Sequence, residues 1–388
     1  MPGDGLAAAL LAEDTFQSGD AQQLYARLRK EAPVARHEDP RFWVLSKHAD
    51  VVAASTDPAT FCSARGILLM EIGVEYPSPP TMMHTDPPDH TRYRAMVQPA
   101  FKPSLTRSLE PLVRQRARDL LDGLTAGPVD FVDAVAVPFP LLVICDLLGL
   151  PPQDWRRLWE WSEAVIPGAT DWPEERRTAL QAEMFTELVA TAKERRAEPR
   201  DDVISQIAAE GLSDDELAMF LIQLLVAGNE TSRNMLSGGM LALAAHPDQW
   251  QHLRADRALV PTAVEEILRW TSPVVYFMRT ATRDVEMGDQ RIAAGDPVVL
   301  LYASANRDED EFGPTADAFD VGRHPNHHVA FGFGPHFCLG AALARLEGRV
   351  LLEELLDRYG SIGQAGPAER TGSNVIAGIT RAPVLLGA

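Results

Sequence analysis

Cysteine is scarce in this sequence, and negative charge far outweighs positive charge. The 388 residues include three cysteines, Cys62, Cys145 and Cys338, so a disulfide framework is not expected and a reducing compartment, the cytoplasm, is predicted. Lysine and arginine total 36 against 55 aspartates and glutamates, which gives a formal charge of −19. This balance argues against nucleic acids and anionic membranes as general partners.

Long apolar runs are missing as well. No window contains the roughly 18 apolar residues that a membrane span requires, and the N-terminal stretch MPGDGLAAALLAEDTF lacks the basic start of a signal peptide. No repeat, low-complexity tract or linker divides the chain, so one domain is expected over residues 1–388. A chain of this size buries roughly 75% of its unfolded surface, which allows a core that encloses a bulky ligand.

Helical periodicity dominates the patterns that are present. The stretch from Ser213 to about Ala245 opens with a capping box and is apolar nearly all round in its middle. At 1.5 Å per residue it predicts a core helix of about 50 Å that crosses the molecule. Further helices are predicted over 104–124, 260–271 and 339–359, and short strands over 41–46, 274–282 and 296–303. The predicted fold class is mainly α with a smaller β region.

The stretch FGFGPHFCLG, residues 331–340, places Cys338 directly before a predicted helix. The positive end of the helix dipole favours the thiolate there, and the glycines let the backbone approach a flat body closely. A catalytic nucleophile is one interpretation, but no base partner is evident. Zinc is another, but the nearby histidines lack paired metal-binding spacing. A single metal ligand explains the loop better than either.

This loop resembles the axial-ligand loop of the cytochrome P450 family, F-x-x-G-x-H-x-C-x-G. The sequence matches every defined position, with Phe331, Gly334, His336, Cys338 and Gly340. The resemblance extends from about residue 40 to 385. It implies the cytochrome P450 fold, with a long central helix crossing over a haem b whose iron is held by Cys338.

Two further motifs support this resemblance. AGNET, residues 227–231, resembles the oxygen-binding segment of the central helix. It implies that Gly228 leaves room over the iron and that Glu230 and Thr231 form an acid–alcohol pair that relays protons. From the residues alone, a helix kink with a hydrogen-bonded threonine is an equally good interpretation.

EILR resembles the E-x-x-R motif of the family. It implies that Glu266, Arg269 and Arg323 form a structural network that supports the cofactor loop. A pair with i, i+3 spacing is otherwise typical of an exposed helix surface and contributes only about 0.2 to 0.5 kcal/mol.

DPPDHTRYR and FMRTAT resemble the segments that bind the haem carboxylates. A buried anion must be paired, and several cationic groups converging on two carboxylates would satisfy that need. The cofactor contacts implied by the resemblance are His90, Arg94, Ala227, Arg279, Phe331, Gly332, His336, Cys338 and Gly340.

The implied reaction inserts one oxygen atom from O2 into a C–H bond of a hydrophobic small molecule. Electrons are expected from a ferredoxin and its reductase, because no flavin, nicotinamide or iron–sulfur segment is present. A peroxygenase driven by hydrogen peroxide and a non-catalytic haem-binding sensor are the alternatives. The first resembles a family branch without the acid–alcohol pair, and the second needs no proton relay.

Mostly apolar segments are predicted to contact the substrate. They are residues 66–80, 165–172, 273–277 and 374–379 together with the central helix. The predicted substrate-lining residues are Leu69, Leu225, Val274, Val275, Phe277 and Ile376. The sequence is similar to actinobacterial members that oxidise sterols and branched lipids, while a terpenoid or a macrolide stays open. A basic docking patch for an acidic ferredoxin is predicted at Arg92, Lys102, Arg345 and Arg349.

Overall fold

Helices make up most of the chain in the computed structural model, which describes residues 3–74, 81–124, 127–166, 170 and 172–387, without the side chains of 100 and 103–105. The α-helices are α1 (Asp4–Ala8), α2 (Glu13–Gln17), α3 (Ala21–Glu31), α4 (His48–Thr56), α5 (Asp89–Val97), α6 (Pro103–Asp122), α7 (Pro138–Leu148), α8 (Trp155–Val165), α9 (Glu174–Ala197), α10 (Val203–Ala208), α11 (Asp214–Ala245), α12 (Pro247–Ala255), α13 (Val260–Thr271), α14 (Tyr302–Ala305), α15 (Glu309–Phe312) and α16 (Ala341–Arg358). Among the described residues, no helix has the length and apolarity needed to cross a membrane.

The strands form a small part of the structure. They are β1 (Val34–Glu38), β2 (Arg41–Leu45), β3 (Phe61–Cys62), β4 (Pro128–Asp130), β5 (Phe277–Ala281), β6 (Val285–Met287), β7 (Gln290–Ile292), β8 (Pro297–Leu300), β9 (Ser361–Gln364), β10 (Glu369–Arg370), β11 (Ile379–Arg381) and β12 (Pro383–Gly387). One sheet has the order β1-β2-β8-β5-β3, with β2 and β8 parallel and the other pairs antiparallel. A second has the order β4-β12-β9, and two hairpins pair β6 with β7 and β10 with β11. The predicted class, mainly α with a smaller β region, is confirmed.

Helix α11 organises the larger helical core. Its first N–H groups are satisfied by the predicted capping box, because Ser213 accepts from the Glu216 N–H and Glu216 accepts from the Ser213 N–H. It continues unbroken through AGNET to Ala245 and contacts α7, α8, α9, α13 and α16. Nearly all residues of its second half are buried, so the prediction of a long helix through the core is confirmed.

The other predicted helices are confirmed to within two residues at each end, whereas two strands are shorter than predicted. The strand predicted over 274–282 begins at Phe277, because the Val275 N–H donates to the carbonyl of Val375, outside the sheet. The strand predicted over 296–303 ends at Leu300, because the chain turns into α14. Hydrophobic character alone does not reveal where a buried extended segment leaves its sheet.

A buried ionic network fixes the chain that leads toward Cys338. Arg269 has no solvent exposure, and its guanidinium donates both to the Glu266 carboxylate and to the carbonyls of Asn306, Ala316 and Ala318. The Glu266 carboxylate also accepts from Arg323 Nε at 3.1 Å. The three residues of the E-x-x-R resemblance therefore lie together, inside the protein and not on its surface.

Arg269→Met should lower the free energy of unfolding by about 3 to 5 kcal/mol, because it leaves the buried Glu266 carboxylate without its main partner. Arg27→Ala is the matched control, since Arg27 pairs with Glu31 on an exposed helix face, where solvent screens the two charges and the pair contributes little to stability. Urea unfolding followed by circular dichroism measures both changes. Equal, small effects of the two substitutions would contradict a supporting role for the network.

Candidate functional site

A cavity of about 1440 Å³, including its open mouth, lies between α11 and the loop of residues 331–340. We call it the Cys338 cavity. Thirteen of the residues predicted from the sequence line it: His90, Arg94, Ala227, Gly228, Thr231, Val274, Phe277, Arg279, Phe331, Gly332, His336, Cys338 and Gly340. They come from four separate stretches of the chain, which only the fold brings together.

Leu225 is buried in the helical core, and the described residues that line the cavity include Leu224 in its place. Successive residues of a helix point about 100° apart, so Leu224, Ala227, Gly228 and Thr231 share one face that Leu225 does not. The sequence could not decide between the two leucines because α11 is apolar on both faces.

Three other predicted substrate contacts are likewise absent from the described lining of the cavity. Leu69 and Val275 pack in a second hydrophobic core, and Ile376 faces a different cavity. In an extended segment neighbouring side chains point to opposite sides, so Val274 reaches the cavity and Val275 does not. Residues 75–80, 167–169 and 171 of the predicted substrate segments lie outside the described residues.

The loop around Cys338 is held in a compact conformation by its own backbone. The Cys338 N–H donates to the Phe331 carbonyl at 2.8 Å. Gly332 and Gly334 both adopt the left-handed conformation, with φ of 67° and 69°. A Cβ atom on Gly334 would also collide with the carbonyl oxygen of Ser55 at the end of α4. Glycine is therefore required at position 334 by both conformation and space.

The Cys338 side chain is exposed toward the cavity and surrounded by protein elsewhere. Desolvation raises the pKa of its thiol, against the opposing effects of the Gly340 N–H and of the Arg94 and Arg345 guanidinium groups. The Gly340 N–H at the start of α16 therefore favours the thiolate, but desolvation of the thiol outweighs this effect. A coordinated metal ion would supply the missing stabilisation, because it deprotonates a thiol ligand outright.

Hydrogen-bond donors and cationic groups converge on one part of the cavity. The rings of His90 and His336 lie 4.2 Å apart, and Arg94 donates to the carbonyl of Phe337 at 2.8 Å. His90 Nε2 is buried without a partner among the described residues. Burial, together with Arg279, His90 and Arg94, lowers the pKa of His336 to about 3. No described residue of the cavity lining is an aspartate or glutamate that could balance Arg94 and Arg279.

These features fit a haem. The unpartnered His90 nitrogen and the two uncompensated arginines suit a pair of carboxylates, and a single exposed sulfur suits an iron ligand. Zinc does not fit, because the described residues contain no cluster of three or more histidine, cysteine, aspartate or glutamate side chains able to hold a metal.

The two members of the predicted acid–alcohol pair point to different sides of α11. Thr231 lines the cavity, and its hydroxyl donates to the Ala227 carbonyl at 2.7 Å. Glu230 is buried, faces α8 and accepts from Asn229 Nδ2 at 3.0 Å. It also pairs with Arg233, which pairs in turn with Glu163 of α8. Burial raises the pKa of Glu230 well above the usual carboxyl range, despite the nearby charge of Arg233.

A second buried carboxyl group, Glu347, was not identified from the sequence. Ser232 lines the cavity beside Thr231, and its hydroxyl donates to Glu347 of α16. Burial raises the pKa of Glu347 to about 8. One signal was available: Glu347 lies on the same face of α16 as the apolar Leu343 and Leu351, where an acidic residue is unusual.

Glu347→Gln should stabilise the protein relative to wild type progressively as the pH rises from about 5 to about 8. Folded Glu347 keeps its proton up to a pKa of about 8, whereas an unfolded glutamate loses it near 4.5. Ionisation of the unfolded chain therefore costs the wild type up to about 4 kcal/mol across this interval, and glutamine avoids that cost. Melting temperatures at several pH values measure it. A constant difference between the two proteins would show that Glu347 is ionised when folded.

Comparison with known proteins agrees with this geometry. Residues 130–367 match the family model described as cytochrome P450. Cytochrome P450 126 of Mycobacterium tuberculosis is 42% identical, covering 94% of this chain and 94% of that protein. The methyl-branched lipid omega-hydroxylase of the same species is 39% identical, covering 93% and 90%, and linalool 8-monooxygenase of Pseudomonas putida is 36% identical, covering 96% and 97%.

The solved structures lead to the same conclusion. The crystal structure of CYP108D1 from Novosphingobium aromaticivorans superposes with a TM-score of 0.89 at 34% identity, covering 100% of this chain and 99% of that one. The chain therefore belongs to the cytochrome P450 family, and it is a monooxygenase of that family.

Proposed function

We propose that the protein oxidises a terpenoid or a methyl-branched lipid, inserting one oxygen atom from O2 into a C–H bond. The observation that carries this proposal is the apolar lining that the Cys338 cavity presents around Thr231: Ile67, Met82, Ile144, Leu224, Val274 and Phe277. Such a wall suits a hydrophobic molecule with few polar groups. The names of two relatives, a methyl-branched lipid hydroxylase and a linalool monooxygenase, support this choice.

We propose haem b as the cofactor, with its iron held by Cys338 and its carboxylates by His90, Arg94, Arg279 and His336. When bound, a thiolate-ligated haem supplies the electron-rich iron centre that favours cleavage of the O–O bond. The Glu266–Arg269–Arg323 network supports the loop from outside the cavity, because none of its three residues belongs to the described lining.

Relatives that match 94% of the chain support one domain over residues 1–388.

We propose that two buried carboxyl groups, Glu230 and Glu347, serve as proton donors for the reaction. Because burial raises the pKa of Glu230, this carboxyl group takes up a proton more readily than an exposed glutamate, and Thr231 presents a hydroxyl to the cavity one residue further along α11. Rotation of the Glu230 side chain or an ordered water molecule would link them. Glu347 holds a second proton and already hydrogen bonds to Ser232 on the cavity wall. The peroxygenase alternative is disfavoured, because it would need neither residue of the acid–alcohol pair.

We propose a ferredoxin and its reductase as the electron source, supported by the lack of any flavin, nicotinamide or iron–sulfur segment in the sequence. The predicted basic docking patch is weaker than expected. Arg345 pairs with Glu265 through two hydrogen bonds of 2.7 and 2.8 Å, and Arg349 pairs with Glu110 and Glu353. Docking would therefore depend more on Arg92 and Lys102.

The three unpaired cysteines support a reducing location such as the cytoplasm.

The proposed function predicts that linalool or a methyl-branched fatty acid, added to the haem-loaded protein, shifts the Soret band toward the high-spin form. With a surrogate ferredoxin system the ligand should be hydroxylated. Cys338→Ser should abolish both the carbon monoxide band of thiolate-bound haem and the product. Cys62→Ser is the control, because Cys62 lies in β3 and is not among the described residues that line the cavity. A normal band without turnover of any hydrophobic ligand would favour the sensor alternative.

Thr231→Ala should lower product formation by about 10²-fold or more, the usual contribution of a positioned proton-transfer group. Oxygen consumption should continue and release hydrogen peroxide, because electrons still arrive while protons are misdelivered. Thr186→Ala is the matched control, since Thr186 makes the same hydroxyl-to-carbonyl bond within α9 and is absent from the described cavity lining. The ratio of product to NADH consumed measures the effect, and an unchanged ratio would remove Thr231 from the proton path.

A further inference from the structure

A second cavity lies beside the Cys338 cavity, further along α11 toward its C-terminus. It has a volume of about 1420 Å³, including its open mouth, and is bounded by α3, the end of α13 and the β10–β11 hairpin. A thin wall separates the two cavities. Val274 lines the first, Ile376 lines the second, and these two residues form an isolated β-bridge.

The lining of this second cavity carries two arginines and, among its described residues, no carboxylate. Arg307 and Arg370 are part of the lining, and no described lining residue is an aspartate or a glutamate. The Arg370 side chain is exposed and makes no hydrogen bond or ion pair with any described residue. The Arg381 guanidinium, across the same hairpin, pairs with Glu369 at 3.3 Å and does not belong to the described lining. The Arg370 guanidinium is therefore available to a ligand, whereas the Arg381 guanidinium is already paired.

Arg307 and Thr371 have polar atoms that remain unsatisfied. Arg307 is 6% exposed, and its side chain stacks on Trp270, with the Cζ atom 3.4 Å from the ring centroid. Its Nε has no partner among the described residues, and its ion pair with the exposed Asp317 is long, at 3.6 Å. Burial and the nearby Arg269 lower the pKa of Arg307 to about 9. The Thr371 hydroxyl is buried and also without a partner in the described structure.

The remaining wall is largely apolar. Its larger apolar side chains are Phe16, Tyr25, Leu241, Ile376 and Ile379. A cationic group alone would suit a small anion such as phosphate, whereas this combination suits an anion attached to a hydrophobic body. We propose that the second cavity binds an amphipathic carboxylate, with the carboxylate at Arg307 and Arg370 and the hydrocarbon against the apolar wall. This site is distinct from the one that holds the cofactor and the oxidised substrate.

The test uses the haem-loaded protein with the Cys338 cavity saturated by an iron-binding azole, whose Soret band reports that it remains bound. Decanoate, below its micellar concentration, is titrated by calorimetry, and decanol serves as the uncharged comparison. We expect decanoate to bind one-to-one without loss of the azole band and decanol to bind at least about tenfold more weakly, a difference of 1.4 kcal/mol.

Three variants locate the site. Arg370→Gln should weaken decanoate binding about tenfold, whereas Arg381→Gln, the matched control, should change it less than about twofold. Ala245→Trp, at an exposed position of the lining, should fill the cavity and abolish binding. Absence of binding to the azole-saturated protein, displacement of the azole, equal affinity for decanol, or equal effects of the two glutamine variants would each overturn the proposal.

Discussion

The position of Cys338 depends on how the charge of one fully buried guanidinium is satisfied. Arg269 of α13 donates hydrogen bonds to three carbonyls of the segment 306–318. The side chain of Asn306, in the same segment, accepts from the Val329 N–H at 2.7 Å. Val329 in turn accepts from the Gly332 N–H at the start of the cysteine loop. A continuous path of hydrogen bonds therefore runs from a charged residue in the core to the loop that presents the sulfur. Because Arg269 is out of reach of water, any other path for this segment would leave buried guanidinium N–H groups without acceptors.

Helix α11 serves two environments at once. The face with Thr231 and Ser232 lines the cavity, whereas Glu230 faces α8 and shares Arg233 with Glu163. Burial, together with the negative charge of Glu163 beside the shared guanidinium, explains why the pKa of Glu230 is raised. The carboxyl group with the raised pKa therefore lies on a different side of α11 from the cavity wall. On the side of α16, the hydroxyl of Ser232 hydrogen bonds to a second buried carboxyl group, that of Glu347.

Local patterns were enough to predict the features that depend on local physics. The capping box at Ser213, the extent of α11 and the glycine-rich loop before Cys338 follow from spacing of three or four residues and from the demand for left-handed backbone. Contacts between distant segments were not predictable in this way. Leu224 and Leu225 are equivalent in hydrophobicity, and only the tertiary packing decides which one meets the cavity. Glu347 gave a weak signal, because its partner Ser232 lies 115 residues away.

The contact between Gly334 and α4 has a consequence for how sequences of this kind diverge. The atom that approaches Gly334 is the main-chain oxygen of Ser55, while the hydroxyl of that serine is occupied within its own helix by the Val51 carbonyl. A peptide oxygen is present whatever side chain the position carries. Substitutions at residue 55 therefore leave this contact intact, whereas a single methyl group added at residue 334 would prevent it. The sequence therefore shows the glycine at position 334, but it does not show the main-chain oxygen of residue 55 that makes this glycine necessary.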